Sequence, residues 1–215
     1  MPRLFLSCGL ALGVVTVDDR ISARSAVDDV ARTAKTRSHC ASACWAGTNA
    51  RPVLRLAAEK AGWGRRLPRG HGMGIALSAG FDSFCAQVIE VAISGRQLHI
   101  ERIVCAFDCG QIVDPHNVAR RCRAVPSGET ERCARRLDLG LSAAGAARES
   151  NFHDAPIPAS IGRRRSRCTW RAAPPAPGGA GEASVPPVAP ALASAIHAAT
   201  GRRPRRLPLI EAGFR

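Results

Sequence analysis

A chain of 215 residues, 46% of them apolar, carries enough apolar material for one domain or two small ones, which excludes disorder by composition. Its 31 basic against 17 acidic side chains leave a formal charge of +14, which ordinarily points to phosphate-bearing partners. The arginines come in short runs (Arg120-Arg121, Arg163 to Arg165, Arg202 to Arg206) without interleaved aromatics, and Tyr is absent, so a base-stacking single-strand binder is disfavoured.

The first residues, Met1 to Val15, combine a short basic end with an apolar run but lack a small-x-small cleavage site, so no convincing signal peptide is present and a bacterial-type cytoplasm or periplasm is left open. No stretch is long enough to span a bilayer. Ser25 caps a short helix through Ala31, with Asp28 and Asp29 early in it to suit the helix dipole. The segment 36–46 shows no apolar period. Val53, Leu54, Leu56, Ala57 and Ala61 recur at helical spacing behind Pro52, with Gly62 as the stop. The Gly70 to Gly74 segment feeds Ile75 to Leu77, and its glycines read as structural, because no lysine, third glycine or opening helix follows as a phosphate loop requires. Phe84 to Ile93 is a strand, Ser94 to Arg96 a turn, and Leu98 to Val104 the return strand with a bulge near Glu101-Arg102. From 120 to 136 and from 162 to 172 the chain gains Arg and Cys and loses period, so both stretches read as solvated, poorly packed basic loops. Pro177 to Glu182 is a tight loop, and Val188 to Ala199 an Ala-rich helix stopped by Gly201.

Nine cysteines without a Cys-x-x-Cys pair give no legible disulfide framework or zinc ribbon. His39, Cys40 and Cys44, or Cys105, Cys109 and His116, have ligand chemistry but no matching second half, so buried or incidental thiols are the preferred reading and no metal site is assigned.

Taken in order, Arg51 to Gly64, the hairpin, Asp108-Cys-Gly-Gln-Ile-Val-Asp-Pro115, Glu149-Ser-Asn-Phe-His-Asp154, Pro177-Gly-Gly-Ala-Gly-Glu182 and the tail Val185 to Gly201 with Arg205-Arg-Leu-Pro208 resemble the large subunit of isoquinoline 1-oxidoreductase and related aldehyde and xanthine dehydrogenases. The resemblance covers over half of the chain. It implies an α+β fold, a fragment of the C-terminal molybdopterin-binding domain of a molybdenum hydroxylase large subunit, with a degenerate, partly helical segment over 1–50 and a partial domain over 51–215. That domain is disrupted near 120–136 and 162–172. With a suitable choice of codons, a one-base displacement turns 36–46 into an amphipathic helical pattern and 163–171 into an alternating strand, so the expectation is that these stretches are frame-shifted, which the coding DNA decides.

By the same resemblance the activity is oxidation of an aldehyde or N-heterocycle with water as oxygen donor, the cofactor is molybdenum bound as molybdopterin cytosine dinucleotide, and the partner is an iron–sulfur small subunit. Glu182 stands where the family has its catalytic base, although locally it reads as the start of a surface loop before Pro186. Gly178, Gly179, Ala180 and Gly181 stand where backbone approaches the cofactor, glycine being the residue without a side chain to collide. Asp108, Gly110 and Pro115 match a family turn near the cofactor, with Asp114 where asparagine is common; a plain strand-to-helix turn is an equal reading of them. His153 and Asp154 read as loop-fixing. Most cofactor contacts of the family lie in sequence not found here, so the chain alone is expected to bind no cofactor and to be inactive. No nucleic acid is expected; the alternative is a basic nucleic-acid- or membrane-surface-binding protein, supported by charge alone.

Overall fold

The computed structural model describes residues 50–134, 151, 165–170, 176–205, 207, 209–210 and 212–214. The expected helix from Ser25, the segment 36–46, the His39, Cys40 and Cys44 group, and His153 and Asp154 lie outside the described residues. Helix α1 (Ala50–Ala61) precedes a meander of β1 (His71–Gly80), β2 (Ser83–Ser94) and β3 (Gln97–Asp108); α2 (Pro115–Ala134), β4 (Arg165–Trp170) and α3 (Val188–Thr200) follow. The strands form one sheet in the order β1-β2-β3-β4, antiparallel except that β4 runs parallel to β3.

Both sheet faces are covered, so the strands are apolar on both sides, and period 2 decides which helix each residue meets. Met73, Leu77, Ala86, Val88, Val104 and Ala106 face α1, packing against its Val53, Leu54, Ala57 and Ala61. Ala76, Ile89, Val91 and Ile103 face the other way onto Val188, Leu192, Ala195 and Ile196 of α3. Cys85, Cys105 and Phe107 continue that second face and are covered by Val118 and Cys122 of α2. Leu192 and Ile196 are fully buried, and each contributes on the order of 1.5–3 kcal/mol of transfer free energy.

The expected helix, hairpin and final helix are all present. Gly62, at φ 66°, ends α1, with its N–H on the Glu59 carbonyl and the Trp63 N–H on the Ala58 carbonyl. The β2–β3 register jumps at Glu90/Val91, where Glu90 opposes Arg102 and Val91 opposes Ile100, so Glu101 is the extra residue of the expected bulge. Gly201, at φ 74°, caps α3. Gly72 and Gly74 are structural, as read. A Cβ on Gly74 would stand 2.0 Å from the Ala191 carbonyl oxygen, and one on Gly72 would stand 2.2 Å from that of Ala195, so α3 lies directly on the backbone of β1.

Two expectations are corrected. Residues 120–134 are not a solvated loop but most of α2. Val118, Ala119, Cys122, Pro126, Glu129, Thr130 and Cys133 are buried in a stripe of helical spacing once cysteine is counted as the small apolar residue it is. Asp114 starts the helix, its Oδ1 accepting from the N–H groups of His116 (2.9 Å) and Asn117 (3.1 Å), ahead of Pro115 in the first turn. Nor are residues 165–170 a loop. They pair with the outer edge of β3, whose bare N–H and C=O groups need a partner that periodicity along one strand cannot reveal.

Candidate functional site

At the β1–β2 corner the chain turns through two residues, Phe81 and Asp82, both at φ 55°. Such turns normally carry Asn or Gly, because a side chain crowds the following carbonyl in the left-handed region. The strained corner is held from outside. Gly179 N–H donates to the Phe81 carbonyl at 2.8 Å, and Ser83 Oγ donates to the Gly179 carbonyl at 2.8 Å. A Cβ on Gly178 would meet Ser83 Oγ at 2.6 Å and the Asp82 carbonyl oxygen at 2.7 Å; one on Gly179 would meet Phe81 Cβ at 2.7 Å. These two glycines are therefore demanded by the corner on which the 177–182 loop sits.

The loop is tied equally to the end of β3. Gly178 N–H donates to the Cys109 carbonyl at 2.7 Å, which brings the glycine loop beside the Asp108–Gly110 turn. In that turn Asp108 is buried and its Oδ1 accepts from the Gly110 N–H at 3.1 Å, with Gly110 at φ 69°. Burial first, and the Asp108 carboxylate second, push the Cys109 thiol above its ordinary range. Ala180 packs on the thiol-rich cluster beneath, whereas a Cβ on Gly181 would touch nothing within 4 Å.

Beyond Glu182 the chain is pinned again. Ser78 Oγ donates to the Ala183 carbonyl at 3.1 Å, and the fully buried Gln87 donates through Nε2 to the Ser184 carbonyl at 2.6 Å. Glu182 itself is exposed, at the crest between two anchored stretches. The structure thus brings together Gly178, Gly179, Ala180, Gly181, Glu182, Asp108 and Gly110, the residues the sequence singled out. It also adds Ser78, Ser83 and Gln87, which sequence reasoning missed. Their signal was there: a polar residue inside an apolar strand needs a partner, and here the partner is the loop backbone. Asp114 and Pro115 stand at the start of α2, where Asp114 caps the helix.

A second group lies under the loop. The Sγ atoms of Cys105, Cys122 and Cys168 are all within 4.8 Å of one another, and Cys85 Sγ lies 3.5 Å from that of Cys105. The sequence grouping of Cys105 with Cys109 and His116 is not the one the fold makes; His116 is exposed in the first turn of α2. The neighbouring Cys105 and Cys122 thiols, with Arg123 near by, hold the Cys168 thiol well below its ordinary range, while Cys105 first and Cys168 second push Cys122 up.

No family model matches the chain, and no curated protein does. Among solved structures it is similar to quinoline 2-oxidoreductase from Pseudomonas putida 86, with 16% identity and a TM-score of 0.50 over 61% of this chain and 18% of that one. It also matches the aldehyde oxidoreductase of Desulfovibrio desulfuricans (22% identity, TM-score 0.47, 59% of this chain and 14% of that one). A Cu,Mo-CO dehydrogenase matches at 15% identity and TM-score 0.47 over 55% of this chain and 16% of that one. The chain thus spans less than a fifth of the length of these structures. The likeness to quinoline 2-oxidoreductase establishes the fold: an α+β arrangement corresponding to one part of a much longer oxidoreductase chain.

Proposed function

We propose that this chain is a piece of the large subunit of a molybdenum hydroxylase akin to isoquinoline 1-oxidoreductase, in which the 177–182 loop forms one wall of the cofactor pocket and Glu182 is the base. The ordered motifs and the fold support this reading. The observation that carries it is the anchoring of the loop: bonds from Gly178, Gly179, Ser83, Ser78 and Gln87 fix the backbone on both sides of an exposed carboxylate. A surface loop without a task has no need of two strained residues and two buried polar side chains to hold its shape.

The residues fit one wall of such a pocket. Gly178 and Gly179 are used by the corner beneath them, but the open space at Gly181 leaves a ledge beside Glu182 against which a flat group can lie. In the resembled family that group is molybdenum bound as molybdopterin cytosine dinucleotide, and when bound it supplies two-electron redox chemistry. The Glu182 carboxylate takes the proton from the water-derived oxygen as it attacks the aldehyde or N-heterocycle carbon. Asp108 and Gly110 hold the Cys109 carbonyl where Gly178 needs it, and so position the wall. The other walls, and the iron–sulfur small subunit that takes the electrons, are not supplied by the described residues. On this reading the chain alone should bind no cofactor and turn over no substrate.

In a protein that carries this segment within a complete cofactor-binding chain, Glu182→Gln should leave molybdenum content unchanged and lower turnover by about 10²–10⁴-fold. Metal analysis and oxidation of an aldehyde or N-heterocycle with an artificial electron acceptor read the two quantities. Full activity in that variant refutes Glu182 as base, and turnover by the chain alone refutes its reading as one wall.

A further inference from the structure

The thiol group under the glycine loop has no part in the proposed chemistry of Glu182, yet its geometry is that of a ligand set. Cys105 on β3 and Cys168 on β4 are direct cross-strand partners in a parallel pair. The connection between those strands passes through α2, whose Cys122 lies over them, so three elements each bring one sulfur to one place.

We propose that Cys105, Cys122 and Cys168 form a trithiolate site for a thiophilic d¹⁰ cation of the zinc type. A metal–sulfur bond of about 2.3 Å places three sulfurs about 4.0 Å apart in a trigonal plane and about 3.8 Å apart in a tetrahedron. Sulfurs mutually within 4.8 Å reach either arrangement by small side-chain adjustments. Cys85 does not belong to that mutual set, although it touches Cys105, so it is a neighbour of the site and not a fourth ligand. Cys168 is half-buried where Cys105 and Cys122 are buried, so it is the most accessible of the three ligands.

The chemistry of the donors selects the class of ion. Thiolate is a soft ligand that favours zinc and similar ions over magnesium or calcium, which take oxygen. Three thiolates around one divalent ion leave one net negative charge, and the thiols still protonated beforehand release their protons to solvent. Arg123, one residue from Cys122 and close enough to act electrostatically on Cys168, offsets that charge. The ion would tie β3, α2 and β4 together through their side chains, so its binding free energy would add directly to the stability of the crossover.

The test uses the full chain, reduced and kept free of oxygen, titrated with cadmium(II) as a spectroscopic probe for the thiolate charge-transfer band and with zinc(II) in competition. Each of Cys122→Ser and Cys168→Ser should weaken binding on the order of 100-fold or more, while Cys133→Ala, a buried thiol in a different cluster, should leave it unchanged. Retention of affinity in Cys168→Ser, or an equal loss in Cys133→Ala, overturns the site. Because Cys122 is buried and its replacement can unfold α2, the unaltered chain supplies a second reading. Zinc(II) should slow alkylation of the half-buried Cys168 at least about tenfold, with a chelator restoring the original rate. An alkylation rate indifferent to zinc(II) overturns the proposal whatever the variants do. Neither measurement depends on Glu182 or on a molybdenum cofactor, so the two readings stand or fall separately.

Discussion

Gly74 shows how much one missing methyl group decides. Its Cα faces the Ala191 carbonyl of α3 so closely that an added Cβ would lie 2.0 Å from the oxygen and 2.4 Å from the Ala195 nitrogen. Neither neighbour is a flexible side-chain end, so a methyl can be accommodated only by lifting the helix from the strand. Gly74→Ala should therefore destabilise the protein by about 1–3 kcal/mol, the range for overpacking, seen as a lower urea midpoint with an unchanged slope. Gly178 is a related case at the site: Ala there would drive the loop off Ser83 and carry Glu182 with it.

Among the elements, α2 is the one built against its sequence. It contains Pro126 and Gly128, both poor in a helix interior, and a run of arginines, yet its buried stripe and its start are both well made. The start rests on Asp114, which also accepts from the Asn117 side chain at 2.5 Å. Asp114→Ala should cost about 1 kcal/mol, and because α2 has little propensity to spare the loss should appear as faster amide exchange over 115–122 before the rest of the molecule is affected. The regular structure of β4 also means that absence of periodicity is no longer a reason to read 163–171 as frame-shifted; only the codons bear on that.

For the molecule as a whole, the layers are joined by burial and, among the described residues, by an ionic tie centred on Glu90. Glu90, on the α1 face of β2, accepts from Arg65 at 2.5 Å and from Arg102 at 3.3 Å. Both guanidiniums also donate to the Ala61 carbonyl, Arg65 at 2.7 Å and Arg102 at 2.5 Å, so the negative end of α1 meets two cations held by one carboxylate. Glu90 is nearly buried, but Arg65 and Arg102 side chains are 39% and 23% exposed, so the cost of breaking the tie falls below that of a fully buried pair. Glu90→Gln, which keeps the shape and removes the charge, should destabilise by about 1–2 kcal/mol in chemical denaturation. Arg65→Lys should also destabilise in the same measurement, since an ammonium does not span the carboxylate and the carbonyl together as the guanidinium fork does. Among the described residues no helix is long and apolar enough to cross a membrane.

What the sequence by itself determined follows from short-range repetition. Apolar spacing and a glycine stop located α1 and α3, β-branched runs around Gly95 located the hairpin, and the order of the Asp108–Pro115 and Pro177–Glu182 motifs picked out residues that the fold does bring together. What only the tertiary structure decided depends on partners distant in the chain. The helix over 115–134 exists because Cys122 and Cys133 have apolar surface to cover, and the strand over 165–170 because β3 has an edge to complete. The strained Phe81-Asp82 corner persists because a loop nearly a hundred residues later bonds to it, and three cysteines that look scattered in sequence meet because a parallel crossover returns β4 to the side of β3. Periodicity reports which face of an element is apolar; it carries no information on which remote surface that face will meet.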